Sequence, residues 1–310
     1  MANLLVIFVC LAAGVLLRRS GRFTEAAPAA LGTFVVFVSL PALVLAQVPP
    51  LLATASLDSD VLVPVSMPWL TFVIAFVVVT VLGKRAGWSR AAIGTLVLTV
   101  GLGNTSFVGY PLIASLLGND ALRFAVLVDQ PGSFLALSTL GVAAGTWFAG
   151  GRVGAGAMAR RIFAFPPLIA LVVAVLWGAS GTYRSGTAAG EMLEKLAATL
   201  VPVALVTVGA QLRVDPTLLR AHWRPLALGL GLKLVALPAL FYVFYVHVLS
   251  LRGLAVEVTV LQSAMSPMIT AGVLAVELGL DIELASLMLG VGIPLSLVTV
   301  PLWNLVLRGV

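Results

Sequence analysis

Apolar residues in this chain come in long unbroken runs, near 3–17, 27–47, 61–82, 91–117, 121–149, 163–179, 188–211, 222–247, 253–278 and 284–307. The runs are longer than strands, and a bilayer takes roughly 20 apolar residues per helix. Those near 3–17 and 163–179 are short, which suits helices with little tilt or a locally thin bilayer. Gly, Pro, Asp or Arg punctuate nearly every junction between them. The pattern predicts an all-α integral membrane protein with ten transmembrane helices and no room for a soluble domain.

Composition agrees with that pattern: 61% of the 310 residues are hydrophobic and 10% are charged, against about 25% charged in a soluble domain. The net charge of +6 does not point to nucleic acid. The basic residues form short clusters between apolar runs, such as Arg18-Arg19 and Lys84-Arg85, with no aromatic-interleaved basic patch. The arginines follow the first run rather than precede it, so that run reads as a retained helix and not as a signal peptide. The single cysteine, Cys10, permits neither an internal disulfide nor a multi-cysteine metal site, and no metal or cofactor is expected.

Ten spans place both termini on one side, and the positive-inside rule selects which. With the termini outside, the inner loops carry twelve basic residues: Arg18, Arg19, Arg22, Lys84, Arg85, Arg90, Arg152, Arg160, Arg161, Arg213, Arg220 and Arg224. The outer side carries five, Arg123, Arg184, Lys195, Arg252 and Arg308. The loop near 48–60, with Asp58 and Asp60, then faces out. The expectation is a multi-pass plasma (cell inner) membrane protein with both termini outside.

The halves match at a constant offset of 161, which aligns Pro41 with Pro202, Val97 with Val258, Ala114 with Ala275, and Leu117, Gly118 and Asp120 with Leu278, Gly279 and Asp281. Five spans per half is an odd number, so the second half inserts upside down relative to the first. Inverted repeats recur in transporters, with solute bound near the midplane where the repeats meet. The expected units are 1–149 as the first repeat, 150–162 as a cytoplasmic connector and 163–310 as the second repeat.

Corresponding spans are interrupted. The fourth holds Gly101, Gly103, Asn104, Gly109 and Pro111; the ninth holds Gln262-Ser263-Ala264-Met265-Ser266-Pro267. Proline removes a backbone donor and clashes with the carbonyl four residues earlier. Irregular backbone at membrane depth survives only where protein or a water-filled cavity satisfies it, and paired broken spans point to a binding site. The expected breaks lie near 104–110 and 263–267 and cross, with Pro111 and Pro267 at the crossover. Ser266-Pro267 reads as a helix start, with Ser266 as the N-cap. Asn104, Thr105, Ser106, Tyr110, Gln262, Ser263, Met265 and Ser266 are the candidate solute-binding residues. Half-helix N-termini at the break suit a carboxylate.

Gly103-Asn104-Thr105-Ser106-Phe107-Val108-Gly109-Tyr110-Pro111-Leu112 resembles the fourth-helix signature of the auxin efflux carrier family. Leu40-Pro41-Ala42-Leu43 resembles its second-helix motif, Asp129-Gln130 a recurrent fifth-helix pair, and Ser263 to Pro267 followed by Ala275 to Asp281 its ninth helix. The resemblance implies a fold related to bile-acid sodium symporters and sodium–proton antiporters. It implies a scaffold domain, often dimeric, from helices 1, 2, 6 and 7 (about 3–47 and 163–211), and a transport domain from helices 3–5 and 8–10 (about 61–149 and 222–307). The long cytoplasmic loop of the plant members is absent and their ninth-helix Pro-Pro pair is Ser266-Pro267, so the plant hormone is not the expected solute.

Asp129, Lys233 and Glu257 are ionisable residues within apolar runs. Such groups are costly in a bilayer and mark functional positions by default, although Lys233 could equally form a structural ion pair with Asp129 or Glu257. The chain has no H-E-x-x-H motif, no Ser–His pairing within the spans and no phosphate-binding G-x-x-x-x-G-K-[ST] loop, so neither an enzyme nor a self-powered pump is expected. The reading that results is an elevator-like secondary transporter for a small organic anion, carboxylate-like. A sodium- or proton-coupled symporter or antiporter of the same fold, or a transporter-like sensor without transport, is the alternative. The bilayer, the solute and a possible homodimer through the scaffold are the expected partners; nucleic acid is not.

Overall fold

The structure, a computed structural model, describes residues 2–24, 26–54, 59–151, 165–182, 186–211 and 216–308. Residues 152–162 of the connector, and with them Arg152, Arg160 and Arg161, lie outside the described residues, as do Asp58, Arg184 and Arg213. The described residues form helices and no strand. We number the helices α1 (Ala2–Arg19), α2 (Ala27–Pro50), α3 (Asp60–Arg85), α4 (Arg90–Gly101), α5 (Thr105–Leu117), α6 (Asn119–Phe148), α7 (Pro166–Ala179) and α8 (Ala188–Gln211). They continue with α9 (Pro216–Ala221), α10 (Trp223–Val248), α11 (Leu254–Ser263), α12 (Ile269–Glu277) and α13 (Ile282–Leu307). Six of them, α2, α3, α6, α8, α10 and α13, are long and apolar enough to cross a membrane; α4, α5, α7 and α11 are shorter apolar helices.

Two of the shorter helices, α4 and α11, hold the centre. Ala92 to Gly101 of α4 is buried without interruption, as is most of α11. A helix apolar all round has no face to give to water and is enclosed by its neighbours. Here α3, α6, α10 and α13 pack on α4, and α3, α6, α10 and α13 also pack on α11. At one flank, α1 lies along α8 and α7 along α2. The α1–α8 contact is close because Gly14 faces Val206 and Gly209 faces Leu11: a Cβ added at either glycine would sit 2.2 Å from the opposing carbonyl oxygen.

Proline shapes the long helices. Pro41, Pro111 and Pro238 each follow a widened π-turn, Val35–Ser39, Thr105–Gly109 and Leu232–Ala236 respectively. Without an N–H, and in conflict with the carbonyl four residues back, proline favours a wider turn. One freed carbonyl finds another donor. The Trp303 indole donates to the Leu234 carbonyl at 3.0 Å, four residues before Pro238.

The two interruptions meet. Residues 102–104 and 264–268 leave the helical path and pass each other antiparallel at a Gly103–Pro267 bridge. Asn104 N–H donates to the Ser266 carbonyl at 2.7 Å, and Met268 N–H donates to the Leu102 carbonyl at 2.9 Å. Each irregular segment thereby satisfies polar groups of the other. Three sequence expectations are corrected. The first break is shorter than 104–110, because Asn104 caps the following turn and helical structure resumes at Thr105. Pro111 therefore lies inside α5, away from the bridge, and only Pro267 stands at the crossover. Ser266 is not an N-cap: the bridge holds the chain extended through Met268, the cap residue, and the Ser266 hydroxyl has no partner.

Candidate functional site

A small, partly enclosed cavity of about 60 Å³ opens beside the crossover. Its walls come from α2 (Val36, Leu40), the first turn of α5 (Asn104, Ser106, Phe107), the π-turn of α6 (Asp129, Phe134), and the start of α12 (Met268, Ile269, Thr270). Phe165, just before α7, stacks on Phe134 with ring centroids 3.5 Å apart and closes one side.

Asp129 sits on the π-turn Val128–Phe134 of α6, where Pro131 widens the helix, and is 1% exposed. Its carboxylate accepts four hydrogen bonds, two per oxygen. One oxygen takes the Thr105 hydroxyl at 2.5 Å and the Ser106 hydroxyl at 2.6 Å; the other takes the Tyr110 phenol at 2.9 Å and the Gln130 amide at 2.6 Å. Three of these donors belong to α5, so the carboxylate ties α6 to the half-helix that begins at the break. Charge-assisted hydrogen bonds of this kind are the strong ones.

Asn104, 2% exposed, is fixed by its own cap. Its side-chain oxygen accepts from Phe107 N–H at 3.1 Å and Val108 N–H at 3.3 Å, while its buried amide nitrogen has no partner; the residue stands on the cavity wall. The start of α12 is different. No side chain caps it, and among the described residues the N–H groups of Ile269 and Thr270 have no backbone partner. Those two residues line the cavity. Only one of the two half-helix N-termini is thus uncapped, the other being largely satisfied by Asn104.

Of the residues singled out in the sequence, Asn104, Ser106 and Asp129 line the cavity. Thr105 and Tyr110 stand behind them on Asp129. The remainder serve the crossover itself. Gln262 donates to the Thr105 carbonyl at 3.3 Å, Ser263 donates to the Val260 carbonyl at 2.6 Å, and Met265 and Ser266 are fully buried away from the cavity. Lys233, 1% exposed, is absent from the cavity wall. It approaches the bridge from α10, where a Cβ added at Gly103 would lie 3.1 Å from its ammonium nitrogen. No described carboxylate pairs with it, Asp129 and Glu257 included. Glu257 is half-buried in the first turn of α11, far along that helix from the break.

Sequence reasoning missed the apolar and aromatic half of the cavity: Val36, Leu40, Phe107, Phe134, Leu137, Phe165, Met268 and Ile269. The only usable signal was adjacency, since Phe107 lies within the fourth-span motif and Met268 to Thr270 follow Pro267 directly.

Comparison with known proteins places this site in context. The model of a family described as "Membrane transport protein" matches residues 1–304. An uncharacterised transporter of Methanothermobacter thermautotrophicus is 31% identical over 306 residues, 98% of this chain and 97% of that protein. An uncharacterised transporter of Methanocaldococcus jannaschii is 23% identical over 307 residues, 98% of this chain and 97% of the relative.

Proposed function

Because the chain belongs to the membrane transport protein family of the auxin efflux carrier type, we propose that it is a secondary transporter. It carries a small organic anion, carboxylate-like, in the cavity beside the crossover. The observation that carries this reading is that three cavity-lining residues hold unpaired donors: the Asn104 amide and the Ile269 and Thr270 N–H groups at the uncapped start of α12. A helix N-terminus attracts anions. The apolar wall of Phe107, Phe134 and Phe165 suits the organic part of the solute.

The mechanism proposed is elevator-like. Ten spans form two inverted five-helix repeats, α1–α6 and α7–α13, with the broken spans α4–α5 and α11–α12 crossing. The helix pairing supports this. Exchange of the halves turns the α1–α8 contact into the α2–α7 contact, and the enclosure of α4 into that of α11. The matched Leu-Gly-x-Asp segments also do the same job, with Gly118 at φ 88° and Gly279 at φ 65°. The scaffold comprises α1, α2, α7 and α8, where a homodimer would form; the transport domain comprises α3–α6 and α10–α13. The cavity lies where α2 and Phe165 meet α5, α6 and α12, so a shift between the two domains would carry the solute across. The protein works in the plasma membrane with both termini outside.

Asp129 favours a second reading, coupling to a proton or sodium ion, since it is the one charged side chain on the described cavity wall. Uptake into proteoliposomes of a panel of labelled carboxylates, amines and neutral solutes, with and without ion gradients, separates the two. Carboxylate uptake that Asn104→Ala abolishes supports the first reading. Uptake that follows a pH or sodium gradient and loses that dependence in Asp129→Asn adds the second. Selective uptake of amines overturns the anion assignment.

A further inference from the structure

A second concavity lies on the outer surface of the helix bundle, between α3 and α6. It has a volume of about 340 Å³, and its walls are apolar: Val73 and Phe76 on α3, Leu140, Ala143 and Trp147 on α6. Val73 is 51% exposed and Trp147 48%, so the groove faces the lipid and not the solute cavity. Four residues of α6 line it, Leu140, Ala143, Ala144 and Trp147, about 10 Å along the helix. A helix face exposed to lipid needs no groove, because lipid tails are as apolar as the side chains they meet. What sets this one apart is its end. The Arg90 guanidinium lies over the Trp147 ring, 5.0 Å from the centroid, and donates one N–H to the Trp147 carbonyl. That leaves most of its five donors unspent. Lys84 and Arg85 end α3 on the same side, all three cations are exposed, and none pairs with a described carboxylate.

We infer that this groove is a binding site for an anionic phospholipid, with one acyl chain between Val73, Phe76 and Ala143 and the phosphate on Arg90. Apolar wall, interfacial tryptophan and unpaired cations occur in the order in which a lipid presents chain, glycerol and phosphate. The turn from Lys84 to Arg90 contains no acidic residue to compete. The site is separate from the solute cavity and does not depend on what that cavity carries.

Native mass spectrometry of the purified protein, offered phosphatidylglycerol and phosphatidylcholine with identical chains, tests it. Each basic residue near a headgroup is worth roughly fivefold in affinity for anionic lipid. The protein is expected to retain phosphatidylglycerol several-fold over phosphatidylcholine, and Arg90→Gln to lower that preference roughly fivefold. Ala143→Leu, which fills the groove, should lower retention of both lipids alike. A second measurement locates the site: phosphatidylglycerol brominated on its chains should quench tryptophan fluorescence more than brominated phosphatidylcholine, and Trp147→Phe should remove that difference. Equal retention of both headgroups, a preference unchanged in Arg90→Gln, or headgroup-selective quenching that survives Trp147→Phe would each overturn the proposal.

Discussion

At the scale of residues, the site depends on which polar atoms are spent and which are left over. Asn104 divides its amide: the oxygen caps α5 and the nitrogen is left buried without a partner. Substitutions can therefore separate the two roles. Asn104→Ala should weaken carboxylate binding by about 1.5–3 kcal/mol, the worth of a hydrogen bond to a charged group, and should also cost ~1 kcal/mol of stability through the lost cap. Asn104→Ser keeps a capping oxygen, so it should lose the binding and retain most of the thermal stability. Isothermal titration and thermal melts of the two variants check this; equal binding by all three proteins would remove Asn104 from the solute site. Lys233→Ala, by contrast, should leave carboxylate affinity within about twofold, because Lys233 approaches the bridge and is absent from the cavity wall. Asn104 and Asp129 could be recognised in the sequence because polar residues stand out in apolar runs. Phe134 and Phe165 could not: 31 residues apart in an apolar chain, they offer no contrast, and only the folded chain stacks them.

At the scale of elements, sequence reading succeeded where periodicity was broken and erred on where the break ends. Glycine and proline content marked the fourth and ninth spans, but the prolines suggested breaks centred on themselves. Pro111 is instead accommodated within α5 by the π-turn that precedes it, and Ser266 is kept from capping by the backbone pairing of its neighbours. Neither a π-turn nor a long-range backbone bond leaves a mark in local composition. The glycines of α1 and α8 yield a sharper test. In Gly209→Ala the added Cβ meets the Leu11 carbonyl at 2.2 Å, backbone that cannot swing aside, so the variant should lose about 1–3 kcal/mol through overpacking. Gly32→Ala, on α2, has nothing within 4 Å of the added carbon and should gain about 0.5–1 kcal/mol from higher helix propensity. Thermal melts in detergent compare them, and an unchanged Gly209→Ala would show that α1 and α8 are not held at this spacing.

At the scale of the whole molecule, the basic bias predicts an orientation with both termini outside, and labelling tests it. In a Cys10→Ser background, Ala86→Cys in the α3–α4 turn should resist an impermeant maleimide in intact cells, and Thr182→Cys after α7 should react. The opposite pattern would invert the protein in its membrane. Of the positions matched at the offset of 161, Gly118 and Gly279 both follow a helix end at positive φ. The bridge at Gly103 and Pro267 has a further consequence. Its two hydrogen bonds run from main chain to main chain, so the crossover does not depend on the identity of the side chains at Asn104, Met268 or Thr270 that border the cavity. The bridge separates what preserves the shape of the site from what chooses its cargo. Descendants of one ancestral gene could exchange these cavity-facing side chains and acquire new solutes while the crossing beneath stayed intact, and a selection for growth on unfamiliar acids, applied to a library at these three positions, would find its winners still folded.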